Sequence, residues 1–330
     1  MRARHRQHRR WRTTALSLVA LGIVSAIAAR QLAGSSQSAA AQAGPATIGQ
    51  STSAAAATGS GAASTPSSSP TTSPAKSSVD ATPTATPTQS AAATADALVG
   101  KLTAELAAGG YSIAATNTVT GQRYQTGATS GMDEGSIVKI DILETLLLGH
   151  QDSDTELSDD EVQLATSMIE NSDNSAAESL FWNVGGRDGI TAANIRLGLT
   201  STVLGPSDYW GLTTTGAADQ LILLRNLTST GTLTAASREF ALGLMRDVES
   251  DQRWGAGVIA DAGTTFANKN GWLGVDDDSG RWLVNSLGVV TVQGQQVLIS
   301  VLTQHNDNLD DGIALVESLV RAVAPAVVRQ

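Results

Sequence analysis

From Ser136 to Leu148 the chain reads Ser-Ile-Val-Lys-Ile-Asp-Ile-Leu-Glu-Thr-Leu-Leu-Leu, bounded by Gly135 and Gly149. A helix with apolar residues on most of its faces has no side to give to water and must lie inside a domain. The remaining elements therefore have to wrap it, and Gly149 reads as its stop. Ser136 falls in the first turn, and Lys139, three residues on, shares its face. An amine beside a hydroxyl in a poorly hydrated place loses basicity, so it can be neutral enough to take the hydroxyl's proton. The dipole at the helix N-terminus favours the oxyanion that results.

Lysine is scarce in this chain. Lys76, Lys101, Lys139 and Lys269 are the only four among 21 basic residues. Arg serves wherever a fixed charge suffices, so a Lys in an apolar helix calls for the property Arg lacks, deprotonation on burial.

The N-terminal third cannot join a core. Residues 1–12 carry six arginines and no acid, and read as a basic cytoplasmic tail. Residues 13–30 hold an apolar run from Thr14 to Ala29, read as a signal peptide or a signal-anchor helix. Ala26-Ile27-Ala28 and Ala41-Gln42-Ala43 both offer small-residue cleavage sites, and Arg9-Arg10 hints at twin-arginine export. Residues 31–92 are Ala, Ser, Thr, Pro and Gly with hardly a large apolar side chain, the composition of a disordered, wall-spanning tether. There is no cysteine, which excludes disulfides, thiolate metal sites and a cysteine-linked lipid anchor. Net charge is −10, and with the six N-terminal arginines set aside the rest carries −16, which argues against a nucleic-acid partner.

The folded unit is expected over 93–330, about 238 residues, enough for one domain. Leu98, Leu102 and Leu106 recur every four residues ahead of Gly109-Gly110, predicting a helix. A hairpin is expected over 111–117 and 123–126, turning at Thr120-Gly121. Ser158 and Glu161 form a capping box opening a helix to about Glu170. Further helical patterns cover 175–182, 191–197, 215–227 and 234–248. The tail is β-rich over 282–292 and 295–304, then returns to a helix with Ile313, Val316, Val320 and Val323 on one face. Strands at both ends around a helical middle predict an α/β (α+β) fold: one antiparallel sheet built from both ends of the domain, with an all-helical lobe inserted.

Two more short stretches join the Ser136 helix. Asn171-Ser172-Asp173-Asn174 lies between two helices, and Lys269-Asn270-Gly271-Trp272 precedes the last strands. Each alone has a plain structural use, the first as a cap and the second as a turn. Ser136/Lys139, Ser172/Asn174 and Lys269/Gly271, taken in order, match the trio of class A β-lactamases and penicillin-binding proteins. From about Ala93 onward the chain resembles that family of serine hydrolases, nearest class A. The stretches 111–124, 213–215 and Arg253-Trp254-Gly255 resemble the family's first hairpin, the segment after its omega loop and the approach to its third motif.

The resemblance implies a metal-free, cofactor-free acyl-serine mechanism. Ser136 would attack the carbonyl, with Lys139 as base. Ser172 would shuttle a proton to the departing nitrogen, and Asn174 would orient the substrate's amide. Lys269 would set a positive field for a substrate carboxylate, to which Asn270 would also donate. The N–H groups of Ser136 and Trp272, beside Gly271, would form the oxyanion hole. Asp173 is expected to bond backbone and brace its loop.

Two departures matter. Asn270 stands where the family usually carries Thr or Ser, and Trp272 is large for its place. The segment 198–212, where class A enzymes hold a Glu and an Asn around the deacylating water, has no Glu. Asp208 is its only acid and the only substitute it offers. Acylation followed by slow deacylation is therefore expected. His150 and His305 show no partner in sequence, and the acidic turns 276–280 and 307–312 lack calcium-loop spacing.

The reading at this level is an extracytoplasmic serine hydrolase, secreted or held to the membrane through 13–30 if that segment is uncleaved, working as a monomer. Its partners would be the cell wall and a β-lactam or peptidoglycan-derived substrate. A D-alanyl peptidase-like hydrolase and a non-catalytic wall-sensing module are the alternatives.

Overall fold

The computed structural model describes residues 87–107 and 109–328. The basic tail, the signal segment and nearly all of the tether lie outside them. Among the described residues no helix is long and apolar enough to cross a membrane.

Helix α1 (Pro87–Leu102) leads into strands β1 (Tyr111–Asn117), β2 (Arg123–Gly127) and the short β3 (Met132–Asp133). The helical middle follows: α2 (Val138–Ser153), α3 (Asp159–Glu170), α4 (Asn174–Asn183) and α5 (Gly186–Leu197). After β4 (Thr214–Thr215) come α6 (Ala217–Thr228) and α7 (Ala235–Arg246). Strands β5 (Ala267–Val275), β6 (Arg281–Val292) and β7 (Gln295–Asn306) then lead to α8 (Leu309–Val327).

The main sheet is antiparallel, in the order β2-β1-β7-β6-β5. The N-terminal hairpin thus docks on the last strand, Ile113 opposite Val301 and Ala115 opposite Ile299, as expected of a sheet made from both ends of the domain. One face of the sheet packs under α1 and α8 through Ile113, Val284, Val301, Val316 and Val320. The other core gathers around α2, where Ile140, Leu143 and Leu147 meet Met168, Phe181, Ile190 and Leu224. Burial of α2 follows from its sequence: eleven consecutive residues, Val138 to Leu148, are buried.

Two boundaries differ from the periodicity. Helix α2 runs through Gly149 to Ser153 and stops at Asp154, whose φ of 50° turns the chain left-handed. A short polar side chain tolerates that conformation, whereas Gly149 alone does not end a helix. Helix α1 ends at Leu102, before Leu106, where the Thr103 hydroxyl donates to the Val99 carbonyl. The capping box at Ser158 is present in full, with both reciprocal hydrogen bonds.

Candidate active site

The nucleophile candidate sits where the chain enters α2. Gly135, Ser136 and Ile137 form one 3-10 turn, and Gly135 takes a φ of 56° to make the bend. Across from it runs β5, the open edge of the sheet. Lys269, Asn270 and Gly271 lie inside this strand, so they form no turn. A Cβ on Gly271 would stand 2.8 Å from the Ser136 and Ile137 nitrogens and 2.7 Å from the Glu134 carbonyl. Only hydrogen fits between these backbones. Gly271→Ala is expected to push the nucleophile turn away and cut the acylation rate about 100-fold, since misplacing a reacting group by ~1 Å has an effect of that order. Adduct formation timed by intact mass checks it.

Lys139 lies wholly below the surface. Its amine is 2.7 Å from the Ser172 carbonyl and 2.7 Å from Asn174 Oδ1, and 3.1 Å from the hydroxyls of both Ser136 and Ser172. The carbonyl and the amide oxygen can only accept, so they take two hydrogens. A neutral amine then has its lone pair left for a serine hydroxyl. Burial pulls the Lys139 pKa down to about 7, against the attraction of Asp173, which raises it.

Lys269 is equally buried and donates to Ser172 Oγ at 3.0 Å and to the Asn270 carbonyl at 2.9 Å. Burial first, and the nearby Lys139 second, hold its pKa well below the ordinary lysine value. The Ser172 hydroxyl thus bridges the two amines. Its residue has a φ of 56°, a strained conformation for a side chain of this kind, which the packing of the loop enforces. Asp173 caps α4 by accepting from the Ala176 N–H at 2.7 Å, in keeping with the bracing role expected of it.

Because the Asn270 carbonyl accepts from Lys269, it points off the sheet edge, and the backbone two residues on, at Trp272, points the same way. The Trp272 nitrogen is 3.4 Å from where a Gly135 Cβ would be, so it faces the nucleophile turn. Ser136, Lys139, Ser172, Asn174, Lys269, Gly271 and Trp272 are therefore brought together as the sequence suggested.

Two residues are placed differently. The Asn270 side chain is wholly buried, and its amide donates to the carbonyls of Gln252 at 2.8 Å and Trp254 at 3.0 Å, which leaves it no hydrogen for a substrate. Asp208 is turned out to solvent, 3.9 Å from the Arg187 guanidinium. What stands by Lys139 instead is Trp210, its ring 5.5 Å from the amine. Its indole N–H donates to Glu178 at 2.9 Å, and the other oxygen of Glu178 accepts from Trp182 at 2.8 Å. The i,i+4 pairing of Glu178 with Trp182 could have been read from sequence, but the reach to Trp210, 32 positions on, could not. Neither lysine has a carboxylate in ion-pair contact among the described residues. His150 and His305 do have partners, Glu161 and Asp278, and neither ring bonds a serine of the cleft.

Solved structures with this architecture include the TLA-1 extended-spectrum β-lactamase (15% identity, 71% of this chain and 99% of that one, TM-score 0.61). A β-lactamase from Chitinophaga pinensis matches at 17% identity over 69% of this chain and 97% of its own, TM-score 0.61. PBP-A matches at 20% identity over 70% of this chain and 95% of its own, TM-score 0.60, and a variant of it was solved as an acyl-enzyme with penicillin G. Among curated proteins, "Putative lipoprotein LppW" of Mycobacterium tuberculosis and Mycobacterium bovis is 32% identical over 123 residues, 37% of this chain. The match spans 39% of that relative's length. The profile of the Beta-lactamase enzyme family matches residues 155–327, more than half the chain, taking in Ser172 and Lys269 and leaving Ser136 and Lys139 outside. The chain belongs to the Beta-lactamase enzyme family.

Proposed function

We propose that this protein is an extracytoplasmic serine hydrolase that opens β-lactam or related amide and ester bonds through an acyl-Ser136 intermediate, and that it releases the acyl group slowly. The observation carrying this is the placement of the Lys139 amine: two pure acceptors hold its hydrogens and two serine hydroxyls lie at 3.1 Å. Lys139 takes the Ser136 proton as Oγ attacks the carbonyl, and Ser172 relays a proton to the leaving atom. The developing oxyanion meets the Ser136 and Trp272 N–H groups, worth about 2.7–4 kcal/mol for each donor. Asn174 accepts from Lys139 through its oxygen, so its NH₂ is the part left to orient a substrate carbonyl.

Slow release follows from what surrounds the acyl-serine. Hydrolysis needs a held water and a base beside it. The chain offers an indole, Trp210, against Lys139, while Asp208 faces outward. Export is supported by the basic and apolar N-terminus and by the name of the mycobacterial relatives, although this chain has no cysteine to carry their kind of lipid.

A fluorescent penicillin is expected to label the wild type at one site and to leave Ser136→Ala unlabelled. Nitrocefin should give about one equivalent of product and then almost none. Rapid multiple turnover would refute slow release, and wild type that neither labels nor turns over would refute β-lactams as its substrates.

A further inference from the structure

We propose that the cleft selects acyl donors with no carboxylate beside the scissile bond, that is, uncharged esters and amides with apolar substituents; this rests on the acyl-Ser136 reading above. A site that reads a carboxylate supplies a cation or free N–H groups where the anion will lie. On the β5 wall the side chains of Asn270, Lys269 and Ser286, the polar ones placed to do so, are already committed.

The Asn270 amide spends both hydrogens on the Gln252 and Trp254 carbonyls. Its remaining oxygen is buried without a partner and would repel an anion. Lys269 has no exposed surface, and its hydrogens go to Ser172 Oγ and the Asn270 carbonyl. Burial also favours its neutral form, which has no third hydrogen to offer. Ser286, opposite Asn270 on β6, is buried and accepts from the Ala256 N–H. Gly255 presses on it so closely that a Cβ there would stand 2.2 Å from the Ser286 hydroxyl. Arg253, the cation adjoining this wall, is turned away: it donates to the Arg246 carbonyl and stacks 4.3 Å from the Phe266 ring.

What the cleft does present is aromatic. Trp254 and Trp272 lie with ring centroids 6.0 Å apart at the β5 wall, and Trp210 stands over Lys139 on the other side. Tyr209 and Leu212, flanking Trp210, are 39% and 41% exposed. Such walls bind apolar groups by burial and stacking. The acidic balance of the chain outside its first twelve residues works in the same direction, since it lowers the local concentration of anionic substrates.

The chemistry balances with ester and water alone. The Ser136 Oγ–acyl bond forms as the acyl–alkoxy bond breaks. The Ser136 proton passes to Lys139, and the leaving alkoxide collects one through Ser172 and departs as the alcohol. Water then cleaves the acyl-serine, returning the hydroxyl to Ser136 and releasing the carboxylic acid.

Penicillin G and its methyl ester differ only in that carboxylate. Acylation of the full chain by each is timed by intact mass, and each rate is divided by the same compound's rate with hydroxide. The methyl ester is expected to acylate Ser136 at least as fast as the free acid, and about tenfold faster where the apolar walls discriminate. Faster acylation by the free acid overturns the proposal. If neither penicillin forms an adduct, p-nitrophenyl butyrate decides. A butyryl adduct lost in Ser136→Ala upholds the preference for uncharged esters, whereas no adduct with any of the three overturns the acyl-Ser136 reading and, with it, this inference. The outcomes therefore separate a wrong substrate class from a wrong reaction.

Discussion

Replacing Lys139 by arginine is expected to slow acylation of Ser136 by about 10²–10⁴-fold, the usual contribution of a positioned base. Arginine keeps the charge and loses the base, so the substitution separates electrostatic support from proton transfer. Lys139→Met, close in volume and uncharged, should fall as far and guards against a packing artefact, because the amine is buried and a guanidinium is bulkier. The pH profile carries the argument further. With its pKa pulled down to about 7, Lys139 is a competent base only when neutral, so the wild-type acylation rate should rise with pH and level off above about 7. Below that it should drop tenfold per unit. Asp173 raises the Lys139 pKa, so Asp173→Asn, which keeps an acceptor for the cap of α4, should move the midpoint to lower pH. A flat profile from pH 6 to 8 would assign the proton to another group.

How far the site could be read in advance depended on distance along the chain. Ser136 and Lys139 are one helical turn apart, Ser172 and Asn174 sit at the N-terminus of α4, and Lys269 and Gly271 share a face of β5, so fixed offsets carried these pairs. Elements with strong patterns also stood out: the capping box at Ser158, the hairpin on β1 and β2, and the long β6–β7 pairing through Gln293-Gly294. The parts that did not stand out depend on which way a side chain turns once remote segments meet. Asn270 looked available to a substrate because nothing in the sequence says that the Gln252 and Trp254 carbonyls pass beneath it. Asp208 looked like a stand-in base because it is the only acid of its segment, but two successive left-handed residues, Ser207 and Asp208, turn it outward and bring Trp210 to the amine. Gly149 misled for a different reason: a glycine costs a helix only about 1 kcal/mol in propensity, and α2 ended where Asp154 could turn.

The same apolar helix that presents Lys139, with the segment leading into it, also carries acids into the core, and these predict the pH dependence of the fold. Glu134, Asp141 and Glu144 are wholly buried, and oxygens of all three lack a hydrogen-bond partner. Around them stand Thr145 on the same helix, Asn194 on α5, and Gln220, Asn226 and the carboxylate Asp219 on α6; none of these is a cation. Burial raises all three carboxyls, Asp141 to about 7, so the folded protein holds protons that the unfolded chain releases above about pH 4. Where the native state binds more protons, stability falls as pH rises. Lys139 and Lys269 oppose this at higher pH, since burial lowers both amines and the unfolded chain holds their protons to higher pH than the fold does. Asp141→Asn isolates one contribution. It keeps the shape and removes the titration, so relative to wild type it should gain stability between about pH 4 and 7, on the order of 2–4 kcal/mol in all, and run parallel above that. Denaturant unfolding of both proteins across that range measures the difference. A difference independent of pH would mean that Asp141 is ionised in the fold and that the helix bearing the catalytic pair tolerates a buried negative charge.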